Sequence, residues 1–190
     1  SAVLSKNARS KIYKSESSGL IFSELTKNDF QEFYQLYVQH VRSLGSQPHP
    51  EGYFNHILNA YDWGQNLFMF GVRYNGKLIG GNLMILNKDY LEVKFLSDDR
   101  TYHYLYANNF LYAKMLQWAF NHQVNFIDFG GIPKSMQTNI DFKASFGAKN
   151  YPIYTKYFFR NFSQMLKFRF FRRSLYLKKY YRLMFKKLIS

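Results

Sequence analysis

Apolar residues follow two different periods along this chain, and each change of period marks a new element. Phe30, Phe33, Tyr34, Tyr37, Val38 and Val41 recur at spacings of three and four, which predicts an amphipathic helix. Thr26, with Asp29 three residues on, caps its start as a weaker form of the capping box, and Gly45 ends it. Pro48 and Pro50 keep the next stretch out of the helical region, and a second helix is predicted from Glu51 to Ala60. Leu20 to Leu25, ahead of both helices, reads as a short strand.

Two apolar runs, Leu67 to Tyr74 and Lys77 to Leu86, flank Asn75-Gly76. That pair is the strongest short hairpin signal, because both turn residues must take positive φ. Gly80-Gly81 in the second run predicts a bulge. Tyr90 to Leu96 continues the meander until Asp98, Asp99 and Arg100 break it. A helix follows, with Leu105, Phe110 or Leu111, Ala113, Leu116, Ala119 and Phe120 on one face. The next strand, Phe126 to Phe129, is predicted to lie parallel to the one before, since a helix separates them. Tyr151 to Phe159 reads as a final strand, and Asn161 to Ser190 as a basic, aromatic helical tail. The class expected is α/β (α+β): a mixed, mostly antiparallel sheet flanked by helices over residues 19–160, with residues 1–18 a linker or the end of a preceding domain, and the tail at 161–190.

Charge changes this picture at one end only. Ser1 to Asp141 holds 13 Lys+Arg and 12 Asp+Glu, whereas Phe142 to Ser190 holds 13 Lys+Arg and no acid. So one-sided a block attracts polyanions such as nucleic acid or an acidic membrane face. In the tail, Leu177, Tyr181, Met184 or Phe185 and Leu188 share one helical face, and Lys178, Arg182 and Lys186 share another. The pattern suits anionic lipid or the phosphates of tRNA; it also suits a terminal helix that covers the sheet with its charges solvated.

Composition removes several chemistries. With 190 residues the chain is one well-cored domain in size, and its 20 Phe and 17 Tyr supply the core. The absence of Cys excludes disulfides, thiolate zinc sites and a cysteine nucleophile, and fits a reducing compartment. No run of about 20 apolar residues is present to span a bilayer. The polar start is not a secretory signal, and a chain opening at Ser1 without Met reads as processed or as part of a longer protein. The five histidines lack ligand spacing supported by carboxylates, so no metal is expected. No Walker loop, G-x-S-x-G elbow or G-x-G-x-x-G is found.

The richest segment is Asn125 to Lys149. A short apolar strand carrying Asp128 stops at Gly130-Gly131, whose missing Cβ atoms permit close approach of a ligand or strand. Beyond a polar loop come Phe142-Lys143 and Phe146-Gly147. A lysine there is a cation near a sheet end, where open α/β folds bind ligands. The alternative is an ordinary strand–loop–helix connection with a solvent-facing lysine.

The order of elements resembles that of the GNAT acyltransferase superfamily. Its Q/R-x-x-G-x-G/A loop, which holds the pyrophosphate of acetyl-CoA, would fall between Leu96 and Leu105. There the chain reads SDDRTYHY, with two acids and no glycine. A closer resemblance is to the FemAB-like branch, the Fem-type peptidyltransferases and their acetyltransferase relatives. It rests on Arg9 to Ile12, Phe33 to Tyr37, Gly45 to Pro50, Asn108-Asn109, Phe126 to Gly131, and Phe142-Lys143-Ala144-Ser145-Phe146-Gly147, which is similar to the family's F-K-x-x-F-G signature. Fem-type enzymes move an aminoacyl group from charged tRNA to a peptidoglycan precursor and contain two GNAT-like domains. The resemblance implies that this chain is the second domain and that another GNAT-like domain of the same protein is its partner.

It implies acyl transfer to an amine, with Lys143 stabilising charge. Substrate binding is expected from Ser46, Gln47, His49, Asn108, Asn109, Asp128, Gly130, Gly131, Phe142 and Phe146, and Asp128 and Glu92 are candidate bases. No bound cofactor is expected, since acyl-CoA or aminoacyl-tRNA would be a co-substrate. Expected partners are that donor, an envelope precursor or other amine acceptor, tRNA and an anionic membrane surface. The expected place is the cytoplasm, peripheral at the inner face of the membrane. The alternative is a non-catalytic basic module docking on membrane or RNA.

Overall fold

The structure, a computed structural model, describes residues 4–154 and 156–171. They divide into two compact units at Tyr151–Pro152, nine residues ahead of the tail boundary expected at Asn161. The first unit holds the sheet. In chain order it contains α1 (Lys6–Glu16), β1 (Ile21–Glu24), α2 (Phe30–Ser43), α3 (Glu51–Ala60), β2 (Leu67–Tyr74), β3 (Lys77–Asn87), β4 (Tyr90–Asp98), α4 (Ala107–Asn121), β5 (Phe126–Asp128) and α5 (Gln137–Ala144). The strands lie in sequence order, antiparallel from β1 to β4, with β5 parallel to β4. The fold is the expected mixed, mostly antiparallel sheet flanked by helices.

Local chemistry explains the framework. Asn75 and Gly76 take φ of 49° and 80°, as the β2–β3 turn demands. Thr26 and Asp29 form the capping box over a single 3-10 turn that leads into α2. Arg73 on β2 then locks that end to the sheet, donating to Asp29 Oδ1 at 3.0 Å and to both carboxylate oxygens of Glu32 at 3.0 and 2.7 Å.

Each face of the sheet carries its own core. On one, α4 lays Leu111, Met115 and Trp118 over Phe70, Val72 and Met84, and Leu4, just ahead of α1, and Ile12 of α1 join them. On the other, Phe33, Leu36 and Tyr37 of α2 and Phe54 of α3 cover Met69, Leu83 and Ile85. Gly71 and Gly81 lie opposite each other on β2 and β3; Gly71 makes room for the Leu25 and Leu78 side chains, and Gly81 for Phe33 of α2. A Cβ on Gly81 would lie 2.8 Å from the Phe70 carbonyl oxygen and 3.1 Å from the Phe33 ring. Gly81→Ala should therefore cost about 2 kcal/mol, read as a lower urea midpoint at unchanged m-value. An unchanged midpoint would mean that α2 yields at no cost.

Residues 6–16, within the stretch read as a linker or the end of a preceding helix or domain, form a helix packed against α4, with Lys114 reaching Glu16 at 3.5 Å. Two expectations change. The buried face of α4 runs through Leu111, Tyr112, Met115, Trp118 and Ala119, while Phe120 is exposed. Because α4 is covered by both the sheet and α1, apolar residues occupy most of its circumference and the period alone does not select the face. The strand expected from Tyr151 to Phe159 is absent from the described residues there, where Pro152 removes one ladder donor. Residues 162–171 are helical, as expected of the tail's start; the face drawn from Leu177 to Leu188 lies outside the described residues.

Candidate active site

The ladder between β4 and β5 is short, and what ends it shapes the site. Tyr90, Leu91 and Glu92 pair with Phe126, Ile127 and Asp128, and there the pairing stops. On the other side of β4, Leu83 opposes Phe95 while Met84 opposes Val93, so Lys94 is the extra residue of a bulge. A bulge bends its strand and re-aims the side chains beyond it. The effect is visible in the cores: Leu91 and Val93 face α4, but Phe95 faces α2 and α3, and Leu96 returns to the α4 side. β4 thus parts from β5 just where its own alternation breaks.

The end of β5 is held by its own acid and by α5. Asp128 accepts the Gly130 N–H on Oδ1 at 2.7 Å and the Tyr90 hydroxyl on Oδ2 at 2.8 Å. That bond, with burial and the neighbouring acids behind it, pushes the Tyr90 phenol up to about 12. Gly130 turns the chain at φ 78°, where a Cβ would come within 3.5 Å of the Val93 carbonyl oxygen. Lys143 Nζ donates to the Phe129 carbonyl and, at 3.0 Å, to that of Gly130. Burial pushes this lysine's pKa down, and Asp128 opposes the change.

Phe142 and Phe146 explain how that lysine is aimed. Four residues apart, they dock on Tyr112 of α4, with ring centroids at 5.0 and 5.3 Å. Phe146 is 2% exposed. Gly147, at φ 84°, closes the helix end. The F-K-x-x-F-G pattern is thus an aromatic anchor on one side of a turn and a cation on the other.

The remaining sequence-predicted residues meet β4 further along. The loop after α2 is pinned by Tyr34, whose hydroxyl donates to the His49 carbonyl, and by Tyr37, whose hydroxyl accepts the His49 N–H. The His49 ring stacks on Tyr53 at 4.5 Å and meets the Phe95 ring edge-on at 6.0 Å. Ser46 and Gln47 are exposed in the same loop. At the far end Asn108 donates to Asp98 Oδ2 at 2.9 Å, and Asn109 is buried in the first turn of α4. Gly130, His49 and Asn108 therefore contact β4 in turn at Val93, Phe95 and Asp98. Gly131 is exposed beside Gly130.

Sequence spacing missed the centre of the last group. Asp98, 5% exposed, receives His40 from α2 and His103 from the 3-10 turn Arg100–Leu105, as well as Asn108. Burial alone would push its carboxyl up, but the two histidines outweigh that and bring it to about 2. Asp99 is buried beside it, held by Lys77 at 2.8 Å and Thr101 Oγ1 at 2.7 Å. Both acids of the SDDRTYHY segment are buried with their partners in place inside the fold. Lys94 was missed too. It pairs with Glu92 at 2.9 Å on the strand where β5 departs, and only the register reveals its bulge.

The family model described as Acetyltransferase (GNAT) domain matches residues 4–144, well over half of the sequence. The chain belongs to that family. By sequence, no curated protein matches it. Among solved structures, FemX superposes with a TM-score of 0.68 at 13% identity, covering 76% of this chain and 54% of FemX. This chain thus spans about half of FemX. An aminoglycoside acetyltransferase, meta-AAC0020, from an uncultured soil metagenomic sample and in complex with sisomicin gives 0.60 at 16% identity, covering 76% of this chain and 99% of the other. The ribosomal-protein-S18-alanine N-acetyltransferase of Escherichia coli gives 0.57 at 17%, with coverages of 67% and 76%. These likenesses are of fold. Among the described residues no helix is long and apolar enough to cross a membrane.

Proposed function

We propose that this chain is the catalytic GNAT domain of a FemAB-like N-acyltransferase, moving an acyl or aminoacyl group from an activated ester or thioester to an amine of an envelope precursor. The observation that carries the reading is the parting of β4 from β5 beside Lys143. An ammonium has three donors, and two of those on Lys143 hold the Phe129 and Gly130 carbonyls. Among the described residues the third has no partner, which leaves it for the oxyanion that forms when the amine attacks the carbonyl carbon. The new C–N bond replaces the C–O or C–S bond to the donor, and the amine proton passes to a carboxylate and from there to the departing oxygen or sulfur. Glu92 suits that role better than Asp128, because both oxygens of Asp128 are engaged and Glu92 meets Lys94 through Oε1 alone among the described residues.

Aminoacyl-tRNA is the donor this reading favours. Where relatives with the glycine loop would cradle a pyrophosphate, this chain has buried Asp98 and Asp99 with their partners in place. Like charge and filled space both oppose a diphosphate. Aminoacyl-tRNA and acyl-CoA are both cytoplasmic, so the reaction belongs there. The reading includes a second GNAT-like domain in the working enzyme, with Ser46, Gln47 and His49 on the acceptor side.

Titration calorimetry with acetyl-CoA tests the donor. The expected dissociation constant is about millimolar or weaker, while aminoacyl-tRNA binds tightly enough to be displaced only by other charged tRNA. A micromolar constant for acetyl-CoA would overturn the donor assignment and leave the acyl-transfer chemistry standing.

A further inference from the structure

The second compact unit has an inside and an outside of its own. Along the extended stretch that opens it, Tyr157 and Phe159 turn inward to Phe168, with ring centroids at 4.7 and 5.3 Å. Phe158 between them points the other way and is 91% exposed. Phe168 lies within the helix over residues 162–171. On a helix, positions four apart stack on one face, so Phe162, Leu166 and Phe170 form a single stripe nearly opposite Phe168. That stripe is uncovered: Phe162 is 69% and Phe170 68% exposed, with Leu166 at 37%. Among the described residues, the ring packing of the unit uses the Phe168 side of the helix, and an apolar face remains exposed.

The charges decide what can cover it. Residues 152–171 carry Lys156, Arg160, Lys167 and Arg169 and no acid, and the sequence to Ser190 adds only cations. A second copy of so basic a face would be repelled. Lys167 and Arg169 project to either side of the stripe rather than along its centre, the arrangement in which long basic side chains reach headgroup phosphates while the face between them enters the acyl region. Nucleic acid would put the cations at the centre of contact.

We propose that the helix over residues 162–171 is an interfacial helix that docks on an anionic membrane through Phe162, Leu166 and Phe170. The docking places the protein at a lipid surface whatever reaction it catalyses, and its test is independent of acyl-transfer activity. Full-length protein is sedimented with vesicles of phosphatidylcholine alone or with phosphatidylglycerol added, and binding to tRNA is measured in parallel. Strong binding is expected only to the anionic vesicles, weakening as salt rises from about 0.1 to about 0.5 M. The triple substitution Phe162→Gln, Leu166→Gln and Phe170→Gln keeps every charge. It should reduce vesicle binding by about tenfold or more and leave tRNA binding unchanged.

Equal vesicle binding by the triple variant, or tRNA binding without vesicle binding in the parent, would overturn the proposal. So would cooperative unfolding of the variant at a markedly lower temperature, because the stripe would then belong to the protein's interior. Phe162→Trp gives a separate reading. Its indole should be quenched by brominated lipid in anionic vesicles, and quenching no greater than the parent shows would also sink the idea.

Discussion

Lys143→Met will lower turnover by about a hundredfold or more, while acceptor affinity stays within a few-fold. Methionine keeps the length of the stem and removes all three donors and the charge. Two losses follow, and they separate by measurement. The Phe129 and Gly130 carbonyls lose the donor that holds the end of β5, which should cost roughly 1–3 kcal/mol of stability. The developing oxyanion loses its cation, which affects the rate alone. Lys143→Arg divides them further. It keeps a charge and can still reach the carbonyls, but its planar fork sends the remaining donors elsewhere, so stability should recover more than turnover. Wild-type turnover in Lys143→Met would reduce the residue to a clamp on β5.

The place of that lysine was partly written in the sequence. The Gly130-Gly131 stop marks the strand end and Lys143 beyond it reads as a cation near that end, whereas the docking of Phe142 and Phe146 on Tyr112, which aims the lysine, is a contact between α5 and α4 that spacing does not show. The β2–β3 hairpin and the parallel β5 were legible because turn chemistry and a crossover helix are local signals. The bulge at Lys94 was not, because it exists only as a register between β3 and β4, and neither strand announces it alone. Nor was the convergence on Asp98, since His40, Asp98 and Asn108 come from α2, β4 and α4 and only the fold brings them together. Phe120 misled for a related reason: the buried face of α4 is chosen by which neighbours α1 and the sheet supply. Local pattern located the catalytic candidate, and tertiary contact supplied its surroundings.

Asp98→Ala should be the most destabilising substitution at the far end of the site. One buried carboxylate accepts from α2 through His40, from the Arg100–Leu105 turn through His103 and from α4 through Asn108. Its removal leaves those donors facing a cavity, a loss of about 3 kcal/mol and a fall in melting temperature of roughly 10 °C for a domain of this size. The pH dependence gives a sharper test. The carboxyl lies at about 2 in the folded chain against an ordinary 3.8, so the folded state holds its proton more weakly than the unfolded one. The stability it contributes is fully present above about pH 4 and is lost as pH falls toward about 2. Asp98→Asn keeps the shape and removes the titration, so stability followed from about pH 5 down to about pH 2 should fall less steeply than in the parent. Parallel acid profiles would mean that other carboxylates govern the acid limb and that the histidines merely sit beside Asp98.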